Sequence, residues 1–348
     1  MASPPRLRKS AQSLTRRLKL HYVQRNQLTI ERRRAGEGYT YHAANGTQIT
    51  DPASLQRFAS LAVPPAYEQV YFSPDPHAHL QAVGRDAAGR LQYRYHPDWE
   101  KVRETQKAGR LAALASVLPT VRRAVAQHLS GGEPTRNFAL AAAIELVAGS
   151  AIRPGSEEYA RKHGTRGAVT LLKSNVRVSG DMIALVFRAK GGKDVRKEFS
   201  SPRLAAAIAV LRTLPGPRLF QYRDEAGVIK RATAREVNQF LREMANIQVS
   251  LKDFRTLCAS AAVLDNLARM VPAESARKRR KQVLEAVKAA ADELSNTPTV
   301  CRRSYVHETV VTAFEKGVLE RFSSTLKACR SSARREQFLA QVVATASV

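Results

Sequence analysis

Six residues of this chain have the types and spacing to handle a phosphodiester. Tyr305 follows two arginines in "TPTVCRRSYVH" (297–307), with Asn296 just upstream in "SNTPTV". "AIRPGSEEYA" contributes Arg153, "FRAKGGK" contributes Lys190, and "LKDFRTL" contributes Lys252 and Arg255. A tyrosine working on a nucleic-acid backbone faces three tasks: neutralising the extra charge on a five-coordinate phosphorus, protonating the leaving oxygen, and holding the phenol in line. Two arginines suit the first, because each planar, permanently charged fork can donate to both non-bridging oxygens. A lysine near a turn suits the second. Taken singly, each residue has an ordinary reading. Among 57 Lys and Arg most are solvated, a lone tyrosine usually packs, and "RKRRK" (277–281) reads as a solvated helix face. The order and spacing of the set carry the argument.

The elements that must position these residues are legible in outline. From Tyr39 to Tyr95 short alternating runs are broken by "NG", "PP", "PDP" and "GRDAAGR", which predicts strands and tight turns. "LQAVGRDAAGRLQYRYH" (80–96) reads as a hairpin with Asp86 to Gly89 at its tip. After Trp99 apolar residues fall three and four apart, so the chain becomes mainly helical, with Pro119 marking a new helix start. "NFALAAAIELVAGSAIR" (137–153) is apolar on nearly every face and predicts a central buried helix. One β island, 168–199, has valine-rich runs separated by "SGD" and "KGGK". It predicts a three-stranded antiparallel sheet with Lys190 at a strand end or turn. Helices resume with "SPRLAAAIAVLRTL". Capping boxes "TARE" (233–236) and "SLKD" (250–253) open two further helices, the second carrying Arg255. Val283, Leu284, Val287 and Leu294 mark another amphipathic helix, and "FLAQVV" (338–343) a last one.

Composition limits the partner. The 348 residues, 44% hydrophobic, suffice for two cored domains, and 57 Lys and Arg against 30 Asp and Glu leave a formal charge of +27. Such a surplus fits a polyanionic partner, nucleic acid first and an anionic membrane second. No run approaches the roughly 20 apolar residues of a spanning helix, so a soluble protein is expected. Cys258, Cys301 and Cys329 have neither C-x-x-C spacing nor an even count, which points to reduced thiols in a cytosol. The first thirty residues hold seven Lys or Arg, no acid and no apolar core. They read as a basic, partly disordered arm in preference to an organelle address. No G-x-x-x-x-G-K-[ST] loop occurs, and no Asp or Glu cluster suggests a metal site.

In this order the six residues resemble the catalytic set of type IB DNA topoisomerases of the small bacterial and poxvirus kind. "PPAYEQVYFSPDPHAHLQAVGRDAAGRLQYRYHPDW" looks like the family's N-terminal clamp segment and "IRPGSEEYARKHGTRGAVTLL" like its first arginine motif. "KDFRT" is similar to its second, and "SNTPTVCRRSYVH" to its nucleophile motif. The resemblance runs from about residue 30 to the last helices. It departs from the pattern at Ala189, where glycine is common, at Pro154 directly after Arg153, and after "FRT".

The resemblance implies an α+β fold. A basic arm and small β-rich N-terminal DNA-clamp domain would occupy 1–100, and a mainly α-helical catalytic domain containing the three-stranded antiparallel sheet would occupy 101–348. It implies Tyr305 as nucleophile, giving a 3′-phosphotyrosyl link and a free 5′-hydroxyl. Arg153 and Arg255 would brace the phosphate oxygens, with Asn296 hydrogen-bonding one of them where many relatives use histidine. Lys190 would be the general acid and Lys252 a second member of the proton relay. It further implies Gln92, Tyr93 and Tyr95 on a strand in the DNA major groove, Arg85 as a phosphate contact, and a C-shaped clamp closing on duplex DNA. The expected protein is a monomer in the bacterial cytoplasm, nucleoid-associated, needing no cofactor and no metal.

His96, His163 and His307 are left out of catalysis; His307 lies at i+2 from Tyr305, which on a helix points away. Cys301, at i−4, is expected to pack. Two readings compete. A tyrosine recombinase shares the arginine, lysine and tyrosine plan but generally shows H-x-x-R where this chain has "KDFR", and it lacks a β clamp. A basic, non-catalytic DNA-coating protein is supported by charge alone.

Overall fold

The computed structural model describes residues 9–321, 325 and 332–345. The chain divides into two compact units, Met1–Lys107 and Ala108–Val348. Cys329 and the first eight residues lie outside the described part.

The N-terminal unit holds helix α1 (Lys9–Arg17) and a five-stranded antiparallel sheet of β1 (Ile30–Ala35), β2 (Gly38–His42), β3 (Glu68–Phe72), β4 (Leu80–Arg85) and β5 (Leu91–Tyr95), ordered β2-β1-β3-β4-β5. Alternation along the strands sends Ile30, Val70, Phe72 and Ala82 to one face, where they bury Phe58. Phe58 belongs to α2 (Pro52–Ser60), a helix in a stretch whose sequence predicts only strands and turns. Its signal is local: the Asp51 carboxylate accepts from Ser54 N at 2.8 Å, and Pro52 occupies the first turn, where no N–H is needed. The β4–β5 hairpin turns at Asp86–Gly89 as its sequence predicts, with Gly89 at φ +71°. The basic arm enters the fold: Leu20 is buried with Trp99 and Val102, and Leu28 with Leu80 and Val83.

The second unit is mainly helical. Helix α3 (Trp99–Leu129) runs through Pro119 without a break, where the sequence predicts a new start. Leu111, Leu114, Leu118, Val121 and Val125 form one buried stripe across that position, and their burial offsets the roughly 3 kcal/mol of an interior proline. Helix α4 (Arg136–Ser150) is the centre of the core, buried from Phe138 to Val147 except at Glu145. It ends where Ala151 turns left-handed, φ 52°.

Short α5 (Glu157–His163) follows, then the antiparallel sheet of β6 (Val176–Ser179), β7 (Met182–Arg188) and β8 (Asp194–Ser200). The island is shorter than its sequence suggests, because Ala168–Thr170 and Lys173–Asn175 form 3-10 turns before the first strand. Beyond α6 (Pro202–Arg212) and the small hairpin β9 (Gln221–Arg223) and β10 (Ile229–Arg231) come α7 (Ala234–Ala245), α8 (Leu251–Ala268), α9 (Ala276–Glu293), α10 (Pro298–Ser304) and α11 (Glu308–Glu315). A final helix spans Ser332–Thr345. Both predicted capping boxes form, at Thr233 and at Ser250.

Candidate active site

Helix α8 carries the centre of the site. Its first turn is locked by Asp253, whose carboxylate accepts from Ser250 N at 2.8 Å and Ser250 Oγ at 2.9 Å. Arg255 follows in the next turn, 1% exposed. Its guanidinium donates to the carbonyls of Ala151 and Leu294, the capping residues at the C-terminal ends of α4 and α9. Those ends present unsatisfied, partially negative carbonyls, which is what a buried cation needs. Burial still pushes the Arg255 pKa down, without discharging so strong a base. Its Nε is buried with no hydrogen-bond partner among the described residues.

Arg153 sits two residues beyond Ala151, in a loop outside α4. Pro154 fits there, since a proline disfavours helical geometry in the residue before it. The loop is stitched to the next segment by Ala168 N donating to Arg153 O at 2.8 Å and Val169 N to Pro154 O at 2.9 Å. Two glycines permit the approach. Gly155 takes φ +91°, and a Cβ added at Gly167 would stand 2.5 Å from Gly155 N and 2.6 Å from Arg153 O.

Asn296 arrives from the end of α9 after Ser295 turns left-handed at φ 51°. Its Oδ1 accepts from Arg153 Nη2 at 2.5 Å, while its buried Nδ2 has no partner among the described residues. Tyr305 completes the group, 8% exposed, with the Arg255 Cζ 4.8 Å from its ring centroid. Burial alone would raise the phenol's pKa. The Arg255 charge and side-chain hydrogen bond, with the charges of Arg153 and Lys252, outweigh it and bring the pKa below the usual tyrosine value.

Helix α10 stops at Ser304, so Tyr305 and His307 do not share the helix that their spacing suggests. Tyr305 has φ −128°, and His307 instead caps α11, its Nδ1 accepting from Thr309 N at 3.2 Å. The break is held from α8: Ser260 Oγ donates to Tyr305 O at 3.1 Å and accepts from His307 N at 3.0 Å. Ser260 is fully buried, and the sequence signal for it is a polar residue on the apolar stripe of Leu257, Ala261 and Leu264. Cys301 is buried, and its carbonyl oxygen accepts from Tyr305 N at 2.9 Å.

The structure thus brings together Arg153, Arg255, Asn296 and Tyr305. Lys252 is exposed one helical turn before Arg255. Lys190 stands in the exposed β7–β8 turn with its ammonium 5.4 Å from the Tyr159 ring centroid. In the N-terminal unit, Tyr93 and Tyr95 project from one face of β5, both exposed, their rings stacked 6.3 Å apart. Gln92 shares the strand but alternates to the other face, and its amide donates to Asp86 Oδ2 at 2.9 Å. Arg85 donates to Gln69 Oε1 and Gly89 O, each at 2.8 Å. Among the described residues no group of three His, Cys, Asp or Glu side chains is placed to hold a metal ion, and no helix is long and apolar enough to cross a membrane.

A mostly helical unit that gathers two arginines and an asparagine around one buried tyrosine, preceded by an antiparallel sheet, is the arrangement of a DNA-strand-transferring enzyme, and the chain belongs to the type IB DNA topoisomerase family. Residues 96–332 match the eukaryotic DNA topoisomerase I catalytic core, and residues 38–86 the bacterial DNA topoisomerase IB N-terminal domain. The chain is 29% identical over 285 residues to DNA topoisomerase 1B of Acanthamoeba polyphaga mimivirus, covering 80% of this chain and 84% of that one. It is 24% identical over 250 residues to DNA topoisomerase 1B of vaccinia virus (strain Copenhagen), covering 70% and 75%. These matches set aside the recombinase and DNA-coating readings.

Proposed function

We propose that Tyr305 is the nucleophile with which this type IB topoisomerase relaxes supercoiled duplex DNA. Its oxygen attacks one backbone phosphorus, forming a 3′-phosphotyrosyl bond as the 5′ oxygen leaves with a proton. The free 5′ end turns about the intact strand, and its hydroxyl then attacks the phosphotyrosine to reseal the DNA. One phosphodiester is exchanged for another at each step, so bond energy is conserved and no ATP is consumed.

The observation that carries the assignment is a pair of buried donors without acceptors among the described residues: Arg255 Nε, on the arginine that packs over Tyr305, and Asn296 Nδ2, on the amide that holds Arg153. Leaving such donors unmade costs about 1–3 kcal/mol each, and a phosphate's non-bridging oxygens satisfy both. Arg153 and Arg255 supply the positive charge that stabilises the five-coordinate phosphorus. Lys190 protonates the 5′ leaving oxygen, moving from Tyr159 on its turn of Gly191 and Gly192, both at positive φ. Lys252 relays the proton and helps keep the phenol acidic.

The division of labour follows the two-domain reading. Residues 1–100 grip the duplex through Tyr93 and Tyr95, with Arg85 on a phosphate and Gln92 on a base edge if its amide leaves Asp86. Residues 101–348 cut and reseal. The enzyme works as a monomer, in a bacterial cytoplasm on the nucleoid.

The test incubates the wild type and Tyr305→Phe with negatively supercoiled plasmid, EDTA present and ATP absent. The wild type relaxes the plasmid and leaves a covalent adduct on denaturation. The phenylalanine variant binds but does neither. Relaxation by that variant would move the nucleophile elsewhere.

A further inference from the structure

Arg166 has no part in the reading above, yet it lines the same small cavity as Arg153, Arg255 and Ser295. Its backbone is pinned on both sides. Arg166 N donates to the carbonyl of Arg188 at the end of β7, 2.7 Å away, and the next residues, Gly167 and Ala168, lie against the Arg153 loop. The backbone of Arg166 is therefore tied to the end of β7 on one side and to the Arg153 loop on the other.

No carboxylate among the described residues forms an ion pair with Arg166, Arg153 or Arg255. Arg218, close enough to feel the Arg166 charge, takes Glu157 for itself at 2.6 Å. Three arginines line one cavity, none of them paired with an acid among the described residues, and a bound anion would offset their like charges.

We propose that Arg166 is a third phosphate-binding arginine of the cleavage site, donating to a non-bridging oxygen of the scissile DNA phosphate or of its immediate neighbour. This rests on the type IB reading with Tyr305 as nucleophile. Two arginines suffice for one phosphorus, so the third either shares its charge or fixes the adjoining backbone in line.

The experiment measures single-turnover adduct formation by the full chain on a duplex whose cleavage site has first been mapped with the wild type. Wild type, Arg166→Ala and Arg166→Lys are compared on the natural duplex and on duplexes bearing one neutral methylphosphonate, at the scissile or at either flanking position. Arg166→Ala is expected to slow cleavage about 10- to 100-fold on the natural duplex, with circular dichroism and melting temperature unchanged, and Arg166→Lys to keep part of the rate. At the one neutralised position that Arg166 contacts, the penalty should shrink to about threefold or less. That position tells the scissile phosphate from its neighbour. Wild-type rates in Arg166→Ala would overturn the proposal, and so would an equal penalty on every duplex, which marks a structural role. If the alanine variant fails to fold, the lysine variant carries the same comparison. Failure of the wild type itself to form an adduct would overturn the Tyr305 reading, a different result from either.

Discussion

Arg153 and Asn296 lie 143 residues apart in the chain and meet through a 2.5 Å hydrogen bond from Arg153 Nη2 to Asn296 Oδ1. One end of the asparagine amide thereby holds the Arg153 guanidinium, while the other end, Nδ2, has no partner among the described residues and is the donor proposed for a phosphate oxygen. Asn296→Ala removes both functions. Single-turnover cleavage should fall on the order of 100-fold while DNA binding changes little. An unchanged cleavage rate would take Asn296 out of the site.

Gly167→Ala tests the loop behind Arg153. Its new methyl would meet backbone at 2.5 and 2.6 Å, and backbone cannot swing aside as a long side chain can. Overpacking of this kind costs about 1–3 kcal/mol. The melting temperature should drop, and cleavage should drop further than the loss of folded protein accounts for, because Arg153 moves. A variant as stable and as active as the wild type would show the loop to be slack.

Ser260 is buried and holds the backbone on both sides of the break at Tyr305. Ser260→Ala leaves a buried carbonyl at Tyr305 and a buried N–H at His307 without this hydroxyl, a loss of about 1–3 kcal/mol by chemical denaturation. The chain around the phenol loosens, so the cleavage rate should fall while the KM for DNA stays near the wild-type value. A change in KM alone would argue that Ser260 has no part in positioning Tyr305.

The acidity of Tyr305 gives a pH signature. Cationic neighbours favour the phenolate, so the rising limb of the cleavage rate lies below the pH expected of a free tyrosine. Lys252→Gln withdraws one of those charges, raises the phenol's pKa, and should move the limb to higher pH. A stationary limb, or one displaced to lower pH, contradicts the electrostatic account.

Much of the fold is readable along the chain because its determinants are local. The Ser250–Asp253 and Thr233–Glu236 boxes satisfy helix-end donors within four residues, and the β4–β5 hairpin follows from alternation interrupted by a turn sequence. Other local signals gain meaning only in the folded chain: Asp51-Pro52 opens α2, and His307 caps α11. Pro119 misleads because a proline's local penalty is outweighed by a buried stripe that spans it, and that burial exists only once the core is assembled.

The sequence by itself determined which residues are available: its motifs and their order resemble those of the type IB topoisomerase family to which the chain belongs, and its charge of +27 fits a polyanionic partner. Only the tertiary structure decided how Arg255 is held by the ends of α4 and α9, how Asn296 aims Arg153, why the chain breaks at Tyr305, and which further arginine shares the cavity. These are contacts between residues distant in sequence, set by the packing of α8 against both α4 and α9. A residue's type is written locally, but its partner is chosen by the core that brings the two together.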